Sequence, residues 1–79
     1  MDRSALLELF RKTATEVAER DFVGLSESTA IAELGLDSLS ILEVIGSLER
    51  ELKIEIPDAS LAGVSTLAEL LDAVQAQHT

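Results

Sequence analysis

The segment Leu34-Gly35-Leu36-Asp37-Ser38-Leu39 places a serine directly after an aspartate, at the point where a long apolar-patterned run begins. Asp37 is suited to cap a helix there. Ser38 then falls in the first turn, where backbone N–H groups lack intrahelical acceptors and the helix dipole is positive. That position favours an anion, such as a phosphodiester, on the hydroxyl. Capping alone accounts for the same two residues, so at this level a plain helix start and a modification site both fit.

Other chemistries lack their parts. His78, the one histidine, is the penultimate residue. A serine triad needs its base held against the nucleophile, and a chain end is where order is least expected. With no cysteine in the chain, thiolate metal sites and disulfides are excluded. A calcium loop after Asp37 would need oxygen ligands where Leu39 and Ile41 stand. Gly24, Gly35, Gly46 and Gly63 do not cluster into a phosphate-cradling motif, and no Lys or Arg lies between Arg20 and Arg50 to supply its cation. No catalytic activity of its own is expected.

The elements that must position Ser38 are helices. Leu6, Phe10, Ala14 and Val17 recur at three- and four-residue steps after Asp2, a fitting N-cap, which predicts a helix over about 3–20. Residues 21–37 show no sustained period and read as a long loop. Leu25, Ile31, Leu34 and Leu36 hold it against the core, with one helical turn near Ala30 to Leu34. A second helix is predicted over 38–52. Pro57 halts the stretch before it, and Asp58 is expected to cap a short helix over about 59–63, ended by Gly63. Thr66 with Glu69 fits a capping box for a last helix over 67–76, and Gln75 to Thr79 are expected to fray. The fold class is therefore all-α: a small bundle of three long helices and one short one, with no strand required.

Composition agrees. At 79 residues the chain is one domain, 1–79, burying about 60% of its unfolded surface, the marginal end for a lone domain. It is 47% hydrophobic with two aromatics, which suits a Leu/Ile/Val/Ala helical core. Fifteen acids against six bases give a net charge of −9, which disfavours nucleic acid and membrane surfaces and favours basic protein partners. No apolar run approaches the ~20 residues of a membrane span, and the first residues do not resemble a signal peptide, so a cytoplasmic location is expected.

On a helical wheel started at Ser38, Ile41, Val44, Ile45, Leu48 and Leu52 gather between about 240° and 340°, forming the core stripe. Leu39 and Leu42 fall on the other side with Ser38, beside Glu43, Gly46, Glu49 and Arg50. Two leucines and a glycine rimmed by charges have the make-up of a docking surface. Alternatively, Leu39 packs under the first loop and Leu42 is an ordinary exposed leucine.

Leu34-Gly35-Leu36-Asp37-Ser38-Leu39, an apolar and acidic helix, then Ile54-Glu55-Ile56-Pro57-Asp58 and a final capped helix together resemble the acyl carrier protein family, from about Ile31 to Val74. The resemblance implies that Ser38 takes a 4′-phosphopantetheine arm from coenzyme A through a phosphopantetheinyl transferase, the arm's thiol then carrying acyl groups as thioesters. It implies that Asp37 helps orient the transferase's metal and cofactor and that Leu39 is a hydrophobic partner contact. It also implies that Glu43 and Glu49 meet basic patches on partners such as an acyltransferase or ketosynthase, with the carrier itself a monomer.

Two positions depart from fatty-acid carriers: Ser40 stands where an acidic residue usually follows Asp-Ser-Leu, and Arg50 where Glu often follows Glu49. These favour polyketide or related specialised metabolism over fatty-acid synthesis. A peptidyl or aminoacyl carrier commonly has Gly-Gly before Asp-Ser, where this chain has Gly35-Leu36. A rival of another class is an acidic helical adaptor that binds protein through Leu39 and Leu42, with Ser38 only part of the helix start.

Overall fold

In the computed structural model, which describes residues 2–78, the Asp2 carboxylate accepts from the Ala5 N–H at 2.8 Å and so caps α1, Arg3–Ala18. Leu6, Phe10 and Ala14 are all buried. Their four-residue spacing puts them on one face. Val17, expected on the same stripe, is only half-buried. The helix also ends earlier than the periodicity indicates, because Glu19 adopts the left-handed conformation, φ 57°, and turns the chain away.

The long loop that follows is tied down, as its leucines require. Leu34 is buried, and Leu25, Ile31 and Leu36 pack against the core. Phe22, which no periodicity singles out, is buried as well. The helical turn sits at Ile31–Leu34, and the Glu33 carboxylate accepts from the Ala30 N–H ahead of it at 3.0 Å.

Helix α2 spans Ser38–Leu52, with Val44, Ile45 and Leu48 buried and Ile41 and Leu52 half-buried at the stripe's edges. Full burial of such a side chain contributes about 1.5–3 kcal/mol. Lys53, left-handed at φ 57°, ends it. The short helix α3, Asp58–Leu61, differs in detail from expectation. Pro57 occupies its N-cap, leaving Asp58 inside the first turn, and Ala62 rather than Gly63 is the C-cap. Gly63 comes just after, at φ +78°, a conformation that suits glycine.

Helix α4, Leu67–His78, runs about two residues beyond its expected end. Its exposed N–H groups show why it packs where it does. The Leu67 N–H donates to the Thr29 carbonyl at 3.0 Å and the Ala68 N–H to the Glu27 carbonyl at 2.9 Å, so the loop caps the helix. The expected capping box completes the start: the Glu69 N–H donates to Thr66 Oγ1 at 3.3 Å, and Glu69 Oε1 accepts from the Thr66 N–H at 3.0 Å. Arg3 ties the same region to α1, donating to Glu27 at 2.5 Å, Asp72 at 2.7 Å, Gln75 at 3.0 Å and the Ala68 carbonyl at 3.0 Å. Gln75, expected to fray, is held by that contact.

The core is one cluster of residues from α1, α2 and α4, closed by Phe22, Leu34 and Ile56 from the connections. Among the described residues there is no strand. Ala30 and Thr66 pair only in an isolated bridge. The all-α reading holds, and it leaves the start of α2 at the surface.

Candidate functional site

Three residues prepare that start. Gly35 stands at φ +70°, the left-handed region that follows a helical turn. Asp37 is extended, φ −80° and ψ 175°, and its Oδ1 accepts from the Ser40 N–H at 2.7 Å. Its carbonyl accepts from the Ile41 N–H at 3.0 Å. The capping lowers the Asp37 carboxyl's pKa, chiefly through the Ser40 N–H, then the Ser40 hydroxyl, with a smaller part from the Leu39 N–H. Ser38, the first helical residue, is exposed. Asp37 is therefore the cap, and Ser38 is a hydroxyl displayed at a helix N-terminus rather than the capping group itself.

An apolar depression of about 320 Å³ opens beside it, lined by Leu36, Ser38, Ile41, Leu42, Ile45 and Leu61. Leu61 was not singled out by sequence, because a one-turn helix is too short for a periodic face. Leu39 and Leu42 are 65% and 57% exposed, so neither is packed beneath the first loop. A second depression of about 330 Å³ runs between α1 and α2, lined by Val17, Leu42, Glu43, Gly46, Ser47 and Arg50. Leu42 is the wall shared by the two.

The structure thus brings Leu42, Glu43, Gly46 and Arg50 together as the wheel placed them, with Leu39 exposed one turn nearer Ser38. Arg50 donates to Ser47 Oγ at 3.1 Å. Glu49 is different. It is half-buried, its Oε2 accepts from the Ile56 N–H at 2.7 Å, and its carbonyl accepts from the Ile54 N–H. Its carboxylate holds the turn after α2 instead of standing free on the face. Arg20, which sequence reasoning passed over, donates from its guanidinium to the Leu34 carbonyl just ahead of the motif. The side chain of His78 lies outside the described residues. Among the described residues no helix is long and apolar enough to cross a membrane.

The residues present fit a phosphopantetheine arm. Ser38 is exposed, the backbone N–H groups of a helix start adjoin it where a phosphate would be favoured, and apolar surface lies beside it with room for a flexible chain. A small helical bundle with an exposed serine behind an acidic cap, and two shallow grooves along the same helix, has the make-up of a carrier of covalently bound groups.

Residues 4–74 match the family model described as a phosphopantetheine attachment site. An acyl carrier protein from Clostridium perfringens is 45% identical over 53 residues, covering 67% of this chain and 68% of the relative. The oxytetracycline polyketide synthase acyl carrier protein of Streptomyces rimosus is 33% identical over 76 residues, covering 96% of this chain and 80% of that one. Among solved structures, an acyl carrier protein from Thermotoga maritima superposes with a TM-score of 0.88 at 26% identity, covering 98% of this chain and 91% of the other. The chain belongs to the acyl carrier protein family. Members carry acyl groups on phosphopantetheine, and they work with a phosphopantetheinyl transferase and acyl-processing enzymes.

Proposed function

We propose that Ser38 is the attachment point of the 4′-phosphopantetheine arm and that this chain shuttles thioester-bound acyl groups between the enzymes of a polyketide assembly. The observation that carries the reading is the exposed Ser38 hydroxyl at the first residue of α2, capped by Asp37 and flanked by the Leu36/Ile41/Leu42/Ile45/Leu61 depression. When attached, the arm supplies a terminal thiol able to form thioesters.

The residues of this chain hold and present. Asp37 is a poor proton acceptor for Ser38, because its carboxyl is held low and its Oδ1 is engaged by Ser40. The serine therefore depends on the transferase for activation, as suits a carrier. Leu39, Leu42, Glu43, Gly46 and Arg50 form the surface that transferase, acyltransferase and ketosynthase meet, apolar at the centre and charged at the rim. The net charge of −9 steers basic partner surfaces toward it.

Support for the polyketide setting comes from the Streptomyces relative, which matches nearly the whole chain. Ser40 and Arg50, two departures from the fatty-acid pattern, point the same way. Incubation with coenzyme A and a broad-specificity transferase should add one phosphopantetheine by intact mass, mapped to Ser38 by peptide sequencing. No mass gain would favour the acidic adaptor. The loaded protein is then offered to a polyketide ketosynthase and a fatty-acid ketosynthase; faster extension by the second would place the chain in fatty-acid synthesis.

A further inference from the structure

Arg20 lies two residues beyond α1, yet its guanidinium reaches the loop's far end. It donates to the carbonyl of Leu34, the last residue of the helical turn. Carbonyls at the end of such a turn need an outside donor. The same guanidinium lies over the Phe22 ring, 4.5 Å from its centroid, and that ring is buried in the core. Gly35 comes next at φ +70°. A Cβ built there would stand 3.0 Å from Arg20 Nη2, so the guanidinium sits directly against this glycine.

We propose that Arg20 is a positioning residue for modification of Ser38: Phe22 fixes the guanidinium, the guanidinium fixes the Leu34 carbonyl, and that bond sets the direction in which Gly35, Leu36 and Asp37 enter α2. The proposal rests on Ser38 being the attachment point. Its physical basis is the freedom of glycine. Gly35 adopts either sign of φ with similar ease, so the segment just before the serine needs an external restraint. Only two residues separate Gly35 from Ser38, and a change of φ at Gly35 swings the Asp37 cap and the serine hydroxyl together. Arg20 touches neither the serine nor the exposed face of Leu42 and Glu43, so it acts on orientation rather than on docking.

The test compares wild type with Arg20→Met, which keeps an unbranched apolar stem but no donor, and Arg20→Lys, which keeps a donor. Native-state exchange is followed at the Ser40 and Ile41 amides, both of which donate to Asp37, against core amides such as Leu48 and Leu70. Loading kinetics with coenzyme A and a phosphopantetheinyl transferase are measured alongside. In Arg20→Met, exchange at Ser40 and Ile41 is expected to rise about tenfold with the core amides unmoved, as for loss of one charge-assisted bond. The loading kcat should fall about tenfold while KM moves by less than about twofold, the signature of lost orientation at an intact docking face. Arg20→Lys should recover part of both.

Unchanged exchange at Ser40 and Ile41, exchange raised equally through the core, or loading kinetics equal to wild type would each overturn the proposal. If wild type itself fails to load at Ser38, the attachment reading fails, and the positioning role fails with it. Wild-type loading matched by Arg20→Met sinks the positioning role alone.

Discussion

Glu49 and Ile56 are joined across the turn after α2 by a carboxylate-to-backbone hydrogen bond of 2.7 Å. Ile56 is buried. The bond therefore fixes the chain as it leaves α2 and delivers an apolar side chain to the core. Glu49 and Glu43, which look equivalent as acids on one helix, thus do different work.

Charge reversal separates them. Glu49→Lys loses its bond to Ile56 and should lower stability by about 1–2 kcal/mol. Glu43→Lys, on the exposed face, should leave stability within about 0.5 kcal/mol yet slow association with the transferase. Rising ionic strength should reproduce the Glu43→Lys effect as the screening length shortens to about 8 Å at physiological salt. Urea melts and loading rates at two salt concentrations check both. A transferase indifferent to salt and to Glu43→Lys would remove electrostatic steering.

Ser38→Ala should abolish loading and leave the fold intact. Asp37, not Ser38, supplies the cap, so the serine can be replaced within about 0.5 kcal/mol. Intact mass after transferase treatment, with circular dichroism as the fold control, is the measurement. A mass gain in the folded variant would move the attachment point elsewhere.

Leu48 and Leu42 divide stability from docking. Leu48 is 2% exposed, and Leu48→Ala should cost about 2–5 kcal/mol, transfer plus cavity, much of the stability of a domain this small. Leu42 is 57% exposed, and Leu42→Ala should cost under about 1 kcal/mol while weakening loading. Equal destabilisation by the two would mean that the exposed face of α2 is not free for partners.

Acidification should weaken the fold through two capping carboxylates. Asp37 is held low chiefly by the Ser40 N–H and Glu69 chiefly by the Ser65 N–H, then by the Ser65 hydroxyl and the Thr66 N–H. A lowered folded-state pKa means that the folded chain binds fewer protons than the unfolded one. Their support is full above the ordinary values of 3.8 for Asp37 and 4.5 for Glu69, and it is lost as pH falls through the lowered folded-state values. Glu69→Gln keeps the capping acceptor but removes the titration, so its urea midpoint should fall less steeply with acid than that of wild type. Parallel slopes in the two proteins would exclude this role for Glu69.

Much of this was legible in the chain itself. Asp2, Asp37 and the Thr66/Glu69 pair cap the helices they precede, because capping is a contact between residues three or four apart. The separation of Leu48 from Leu39 and Leu42 follows from the helical period, which also acts over a few residues. The Asp37-Ser38 helix start was readable for the same reason. Tertiary structure decided what no local pattern encodes. Phe22 is buried and meets Arg20 only because the loop folds back over the core. Arg20 reaches a carbonyl fourteen residues away, and Leu61 joins the depression beside Ser38 from a helix too short to have a period. Glu49 turns from the face toward Ile56, whose part-buried backbone N–H donates to its carboxylate. The N–H groups that open α4 find carbonyls at Glu27 and Thr29, roughly forty residues earlier. Local period and caps act within a turn or two of helix, whereas these pairings exist only once burial of the apolar stripes has brought distant segments together.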